Sequence, residues 1–162
     1  MSIFETIFGA LNKARIKYIV VGGIAVNIYG YTRFTGDLDI LVLLKEKNLE
    51  RLDVLMRDFG YIERLPVSIK DLKDQQQVKK WLKEKNLKSY SFMPPVNNLL
   101  TIDIIIEESL KFELIDKNKI MSQFGRIKIP VISIGDLIKM KRKSNRSRDL
   151  EDIEELIKLK GV

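Results

Sequence analysis

The sequence contains neither cysteine nor histidine among its 162 residues. Without cysteine there can be no disulfide bond and no thiolate zinc site, and without histidine no imidazole can act as a metal ligand or general base. Any catalysis must therefore use carboxylates, lysine, tyrosine, serine or threonine, and a bound metal would be a hard cation with oxygen ligands. A chain without cysteine also fits a reducing cytoplasm, which is the compartment we expect.

Long apolar runs are also missing. The longest stretch without a charge, Tyr18 to Thr32, is shorter than the ~18 to 20 residues of a membrane span. An early acid, Glu5, and the lack of a basic lead argue against a secretory signal. We therefore expect no membrane association. The 29 basic and 22 acidic residues give a net charge of +7, which favours anionic partners. A chain of this length supports one hydrophobic core, so we expect a single domain over residues 1–162.

The hydrophobic pattern mixes helical and strand periodicity. It predicts helices over about residues 2–15, 24–29, 46–58, 69–86, 109–116 and 135–159, the last either continuous or broken near Ser144 and Asn145. It predicts strands over about residues 17–21, 37–44, 61–65, 90–93, 99–106 and 125–132, with 90–93 and 99–106 forming a hairpin. Because the elements do not alternate strictly as βαβ units, we expect an α+β or mixed α/β fold.

Two acids, Asp37 and Asp39, begin the most apolar predicted strand. Side chains two residues apart on a strand point to the same face, with their Cα atoms ~6 to 7 Å apart. Carboxylates so placed repel each other unless a cation lies between them, and Mg²⁺ takes oxygen ligands while leaving positions for phosphate oxygens. The pair therefore indicates a metal site, although two surface acids at a strand end would give the same pattern.

Two further features could take part in such a site. Gly22 and Gly23 end one strand and precede a helix, where unpaired backbone N–H groups and the helix dipole favour a phosphate. A plain tight turn is the alternative. Asp103 lies within the apolar strand 99–106, where an acid costs free energy unless it is paired or metal-bound. A salt bridge to lysine or arginine and a functional role both explain it.

The last helical region changes from basic to acidic along its length. Six basic residues come first, without an acid among them: Lys139, Lys141, Arg142, Lys143, Arg146 and Arg148. Five acids follow: Asp149, Glu151, Asp152, Glu154 and Glu155. On one continuous helix Lys139, Arg142, Arg146 and Asp149 would share a face. Such a face could clamp a triphosphate or an RNA backbone, or could be a solvated surface with many salt bridges.

The order of these motifs resembles the minimal nucleotidyltransferase superfamily, which has the fold of the catalytic core of DNA polymerase beta. The matching motifs are Val21-Gly22-Gly23 and Asp37-Leu38-Asp39-Ile40, followed by a later strand with the single acid Asp103. The segment from Gly30 to Asp39 is especially similar to small AbiEii-type and lincosamide- or aminoglycoside-nucleotidyltransferase-like members, as is the segment from Asp136 to Asp152. The resemblance covers most of residues 16–157 and leaves 61–98 unmatched. Gly23 stands where many active members have serine.

This resemblance implies a nucleotidyltransferase fold with a mixed central β-sheet flanked by helices. It also implies transfer of a nucleoside monophosphate from an NTP to an acceptor hydroxyl on RNA (such as tRNA), protein or a small molecule, with release of pyrophosphate. Asp37, Asp39 and Asp103 would be the catalytic residues and the ligands of Mg²⁺ or Mn²⁺. The implied nucleotide-binding residues are Gly22, Gly23, Arg33, Thr35, Lys141 and Arg146.

The alternative is a non-catalytic module on the same fold. It would bind nucleotide or RNA through the basic surface, or would act as a toxin–antitoxin component that contacts a partner protein. The lysine-rich segment 69–88, and Tyr90 and Phe92 as stacking partners for bases, support RNA binding. Three intact carboxylates favour an enzyme, since a pure binding protein has little use for them.

Overall fold

The computed structural model describes residues 1–107 and 110–161. The helices are α1 (Ile3–Lys13), α2 (Gly22–Tyr29), α3 (Glu46–Asp58), α4 (Gln75–Lys85), α5 (Phe112–Asn118), α6 (Ile134–Ser144) and α7 (Ser147–Lys160), with a 3₁₀ helix over Ile69–Lys73. The strands are β1 (Tyr18–Val20), β2 (Asp37–Val42), β3 (Ile62–Glu63), β4 (Ser89–Met93), β5 (Thr101–Ile105), β6 (Ile120–Phe124) and β7 (Ile127–Val131).

These strands form one mixed sheet in the order β3-β4-β5-β2-β1-β7-β6. β2 runs parallel to β5, and β1 runs parallel to β7, whereas the other neighbouring pairs are antiparallel. Apolar side chains fill the central strands on both faces, and Leu38, Ile40 and Ile104 are buried completely. The mixed α/β architecture predicted from the sequence is thereby confirmed, as is the hairpin of β4 and β5.

Helices cover the sheet by burying one apolar face each. Ser2 and Glu5 close a capping box at the start of α1, which buries Ile7, Phe8 and Leu11. α2 packs against β2, α6 and α7, and α6 packs against α7. None of the helices in the described part of the chain is long and apolar enough to cross a membrane.

Most predicted elements are found within a few residues of the expected bounds, but one expectation needs correction and one strand, β6, was not predicted. The predicted helix 69–86 is interrupted at Asp74, whose side chain accepts hydrogen bonds from the N–H groups of Gln76 and Gln77 and starts α4 anew. The late strand is the second half of a hairpin, because β6 precedes it across the turn at Gly125, where φ is +58°. The predicted helix 109–116 is α5, and its expected first residue lies outside the described residues.

A buried asparagine joins the start of β1 to the end of β2. The Asn48 side chain on α3 accepts a hydrogen bond from Lys17 N at 2.7 Å and donates to Lys17 O at 3.0 Å and Leu43 O at 2.9 Å. These bonds satisfy backbone groups at the point where the two strands leave the ladder. Asn48 therefore fixes α3 against the central strands.

We expect Asn48→Asp to destabilise the protein by about 2 to 4 kcal/mol, because it removes two donors and places a carboxylate against two carbonyl oxygens. Urea unfolding at neutral pH measures this. Lys47→Asp is the control: it places the same carboxylate in the same helical turn at an exposed position, with a charge change of two units instead of one, and should be neutral or slightly stabilising. Equal losses in both variants would contradict the role assigned to the Asn48 amide.

Candidate active site

The three predicted acids lie on the same face of two central strands, β2 and β5. β2 and β5 are parallel neighbours, and their register places Asp39 opposite Asp103 and Asp37 opposite Thr101. Asp39 and Asp103 are half-buried, whereas Asp37 is exposed at the strand end. The fold therefore brings together carboxylates that are more than sixty positions apart in the sequence.

Burial and mutual repulsion disfavour the charged forms of these acids. The pKa of Asp39 is raised to about 6, mainly by burial and then by the carboxylates of Asp103 and Asp37, while Lys141 and Arg146 partly oppose the increase. Burial also raises the pKa of Asp103, against the hydrogen bond from Ser91, and Asp37 adds to the increase. A cation placed among these carboxylates would relieve the repulsion.

The carboxylate groups of these acids suit a hard divalent cation, although they are not arranged as a complete metal site. Within residues 1–107 and 110–161, no three acidic side chains already form a group that could hold a metal ion. The donors are nevertheless the carboxylate oxygens that Mg²⁺ and Mn²⁺ prefer, and their mutual repulsion is what such an ion offsets. Asp37 is exposed, so its side chain can change rotamer toward the other two.

Gly22 lets the start of α2 approach Asp39. Its φ is +64°, and a Cβ atom at this position would collide with the Asp39 carboxylate. The backbone is closely packed here as well, since Val21 N donates to Asp39 O at 3.0 Å. No side chain caps α2 at Val21, so the N–H groups of its first turn are suited to an anion.

A fixed loop covers the same helical turn. Asn27 donates to Arg33 O at 2.9 Å and accepts from Arg33 N at 3.0 Å. This clamp places Thr35 and Arg33 over Gly23, where an added Cβ would lie 2.7 Å from Thr35 Oγ1 and 3.3 Å from Arg33 Nη1. The Thr35 hydroxyl thus occupies the space that a side chain at position 23 would need.

The basic residues predicted to bind nucleotide take part in a largely buried ion-pair network. Arg33 donates to both oxygens of Asp152, each at 2.8 Å. Lys141 lies 2.8 Å from Asp152 and 3.1 Å from Asp149. Arg146 Nε lies 2.9 Å from Asp149 Oδ2. Lys141, Asp149 and Asp152 are buried, whereas the Arg146 side chain is 78% exposed.

Both carboxylates of the network stay ionised. Burial alone would raise the pKa of Asp149, but hydrogen bonds from Ser144, Arg146 and Lys141 hold it well below its ordinary value. Burial opposes ionisation of Asp152 in the same way, and Arg33 and Lys141 lower its pKa. Three cations therefore surround two anions, and Lys141 and Arg146 also act electrostatically on Asp39.

The sequence did not identify Asp149 and Asp152 as members of this cluster. They belong to the acidic run that follows the basic one, and the i, i+3 spacing of Arg146, Asp149 and Asp152 is the signal that could have marked them. The predicted break near Ser144 and Asn145 is confirmed, because Asn145 adopts the left-handed conformation and separates α6 from α7, so the continuous helical face does not form. Lys139 lies apart, with its amine 4.0 Å from Asp136.

The structure excludes one interpretation of Asp103 and removes one of the RNA-binding arguments. Asp103 accepts a hydrogen bond from Ser91 Oγ at 2.6 Å and forms no ion pair within the described part of the chain, so the salt-bridge alternative is wrong. Ser91 is a buried neighbour that sequence patterns did not single out. Tyr90 and Phe92 are buried in the core and cannot stack on bases.

Comparison with known proteins agrees with this geometry. The family model described as "Nucleotidyl transferase AbiEii toxin, Type IV TA system" matches residues 8–162. No curated protein sequence matches significantly. Several solved structures share the fold. The lincomycin-bound lincosamide antibiotic adenylyltransferase LnuA has 15% identity and a TM-score of 0.64, covering 96% of this chain and 95% of that one.

Two further structures are equally similar in fold. A protein from Thermotoga maritima classed as a nucleotidyltransferase has 14% identity and a TM-score of 0.60, covering 96% and 91% of the two chains. The antibiotic-resistance factor ANT(2'')-Ia has 10% identity and a TM-score of 0.63, covering 96% and 80%. These matches confirm the nucleotidyltransferase fold that the sequence predicts.

We expect Asp39→Asn to stabilise the metal-free protein at neutral pH. Because the folded-state pKa of about 6 exceeds the ordinary 3.8, stability from this group is complete below about pH 4 and is lost as the pH rises through 6. In EDTA at pH 7.5 the variant should gain about 1 to 2 kcal/mol, and the gain should vanish near pH 4. Urea unfolding across this range measures it. Glu84→Gln, an exposed acid on α4, should show no such trend.

Ser91→Ala should raise the pKa of Asp103 further, because the lost hydrogen bond stabilises the carboxylate form. Carbon-detected NMR titration of the aspartate carboxyl groups measures this directly. Ser89→Ala is the matched control, since Ser89 lies two residues earlier on the same face of β4 and is paired in register with Ile105. An Asp103 titration that does not change in Ser91→Ala would show that the bond does not act on the carboxylate.

Proposed function

The chain belongs to the AbiEii family of nucleotidyl transferases, and on that premise we propose that it moves a nucleoside monophosphate from an NTP to an acceptor hydroxyl in a reaction that depends on Mg²⁺ or Mn²⁺. One observation carries the proposal: the Asp39 carboxylate packs against Gly22, at the uncapped start of α2. An acidic pair and a helix end suited to a phosphate thus share one surface, which supports transfer of a phosphorus-bound group.

Each predicted residue takes a role that its position supports. Asp37, Asp39 and Asp103 would hold the divalent cation, which when bound neutralises phosphate charge and lowers the pKa of the acceptor hydroxyl. The N–H groups at Gly22 and Gly23 would donate to phosphate oxygens, with the Thr35 hydroxyl beside them. The exposed guanidinium of Arg146 would pair with the same phosphates.

In the transfer itself, the acceptor oxygen forms a bond to the α-phosphorus while the bond from that phosphorus to the bridging oxygen breaks. Pyrophosphate leaves with the bonding electrons, and the hydroxyl proton passes to a base. Asp103 is our candidate for that base, because it lies one strand away from Asp39 and burial raises its pKa. Ser91 would position its carboxylate.

Arg33 and Lys141 act mainly as positioning residues in this scheme. Both form ion pairs with Asp152, and Lys141 is buried. They tie the loop over Gly23 to α6 and α7, and through α7 they place Arg146. Arg33 Nη1 lies close to Gly23, within reach of a phosphate bound there.

For the acceptor we propose an RNA hydroxyl. The net charge of +7 supports a polyanionic acceptor, since basic proteins attract nucleic acid over long range. The family description names a toxin of a type IV toxin–antitoxin system, and we extend that setting to this chain. tRNA is therefore the first acceptor to test, and a partner protein the second.

The test separates binding from transfer. We expect the wild type to bind NTP at least ~10-fold more tightly with Mg²⁺ or Mn²⁺ than with EDTA by calorimetry, and to transfer label from an α-³²P NTP to tRNA. Asp39→Asn should lose the metal-dependent binding. Asp103→Asn should bind nucleotide nearly as well and transfer it at least ~100-fold more slowly, without a loss of melting temperature, because Asp103 has no ion-pair partner among the described residues that the change could leave unpaired.

Two results would contradict the proposal. Equal NTP affinity with metal and with EDTA would remove the cation from the site. Metal-dependent binding without label on tRNA, total RNA, protein or the small molecules of a cell extract would instead favour the non-catalytic nucleotide-binding module.

A further inference from the structure

One edge of the sheet is an exposed strand without the usual protection. β6 is the last strand in the sheet order, and its Ile120 and Met121 are 40% and 57% exposed. It contains no charged residue and no proline, although 31% of the whole chain is charged. Edge strands are commonly protected by charges, by proline or by being very short. The other edge strand, β3, follows that rule, since it has only two residues and one of them is Glu63.

The register of the β6–β7 hairpin shows which backbone groups face outward. Opposed residues in an antiparallel pair of strands alternate between pairs that exchange both N–H···O bonds and pairs that exchange none. Met121 lies opposite Pro130, which has no N–H, so this pair exchanges none. Gln123, opposite Lys128, is two residues further along and belongs to the same class. The N–H and C=O groups of Met121 and Gln123 therefore point away from β7, and no turn or loop hydrogen bond reaches them within the described part of the chain.

An apolar groove adjoins this edge. Its volume is about 510 Å³, and it is lined by residues 122–125 at the end of β6, by α2 and by the loop that carries Phe34. The Phe34 side chain is 82% exposed and joins none of the aromatic pairs among the described residues. Its loop is fixed, because Asn27 clamps Arg33 and Arg33 Nη1 donates to Phe34 O at 3.2 Å. Alternate side chains of a strand added to β6 would lie on the same side of the sheet as this groove.

The charges around the hairpin favour an acidic partner. Residues 117–128 contain no acid and four basic side chains: Lys117, Lys119, Arg126 and Lys128. Lys119 pairs with Asp116 at 2.8 Å, whereas the other three form no ion pair within the described part of the chain. A second copy of this chain would bring like charges together across the new strand pair, which is destabilising. A strand with acidic flanks is the complementary partner.

We infer that β6 and the adjoining groove bind an extended segment of a partner protein that has apolar side chains at alternate positions and acidic residues at its flanks. The segment would add one strand to the sheet, with its backbone bonded to Met121 and Gln123 and its apolar side chains against Phe34. RNA would suit the basic charges, but it has no backbone N–H and C=O groups to pair with this edge. The inference does not depend on the proposed function, because it uses no nucleotide contact.

The position of the groove gives such a partner access to the candidate active site. Arg33 and Thr35 line the groove, and the same two side chains lie against Gly23. A segment bound along β6 would therefore lie beside the loop that covers the first turn of α2.

A defined peptide tests the inference. The probe is the nine-residue peptide Asp-Glu-Val-Thr-Val-Thr-Val-Glu-Asp with a fluorescein label. One control peptide has lysine at the four acidic positions, and the other has proline in place of the central valine. By fluorescence polarisation, the acidic peptide should bind at least ~10-fold more tightly than either control. Phe34→Ala should weaken its binding at least ~3-fold, whereas Val54→Ala, which removes an exposed apolar side chain on α3, should not change it.

Amide hydrogen exchange in the wild type locates the contact. The acidic peptide should slow exchange at the outward N–H groups of Met121 and Gln123. The N–H groups of Ile120 and Ser122 should change less, because the β6–β7 ladder already protects them. Met121→Pro removes one outward donor without removing a bond from that ladder, and should weaken peptide binding at least ~10-fold.

Several results would overturn the inference. No binding of the acidic peptide, or equal binding of the acidic and lysine peptides, would remove the acidic partner, and unchanged binding by Phe34→Ala would exclude the groove. No exchange protection at Met121 and Gln123 would place the peptide elsewhere. A free protein that sediments as a dimer with these two amides already protected would assign β6 to a second copy. Chemical shifts of residues 117–128 that respond to tRNA and not to the peptide would assign the hairpin to RNA.

Discussion

Asp152 is buried, and both of its oxygens are occupied by cations that come from different parts of the chain. A buried carboxylate is tolerated only when its partners satisfy it, and removing one partner of such a group typically costs about 3 to 5 kcal/mol. Arg33 belongs to the loop over Gly23, Lys141 to α6 and Asp152 to α7. Because the ion pairs of Asp152 join these elements, separating them would expose a buried charge or leave it without a partner. The loop over Gly23, α6 and α7 are held together by that constraint.

The acidic side follows the opposite rule. Asp39 and Asp103 are adjacent across two parallel strands and repel each other, and neither forms an ion pair within the described residues. The structure tolerates this repulsion because Leu38, Ile40, Ile102 and Ile104 on the same strands are buried and supply the cohesion. Residues that lower local stability, and that a strong core nevertheless holds in place, are characteristic of functional sites.

The sequence predicted the parts of this molecule that depend on local pattern. Asp37 and Asp39 were found because strand alternation puts both on one face, and Gly22 and Gly23 because a glycine pair between a strand and a helix marks a turn. The register that sets Asp39 beside Asp103 depends on strand order, which no short window contains. Ser91 was not singled out, and the buried ion pairs of Asp149 and Asp152 were not predicted, because a polar residue in a strand or an acidic run carries no sign of its partner. β6 was missed because an exposed edge strand has a weak apolar signal.

The left-handed turn at Asn145 limits the insertions and deletions that this segment can accept during evolution. Lys141 must face Asp152 from α6, and Arg146 must begin α7 beside Asp149, with only the turn between them. One residue more or less in α6 would rotate everything after it by about 100° around the helix axis. Surface turns commonly accept insertions, but this turn fixes the spacing between residues that form ion pairs. The segment from Lys141 to Asp152 should therefore vary in composition far more readily than in length.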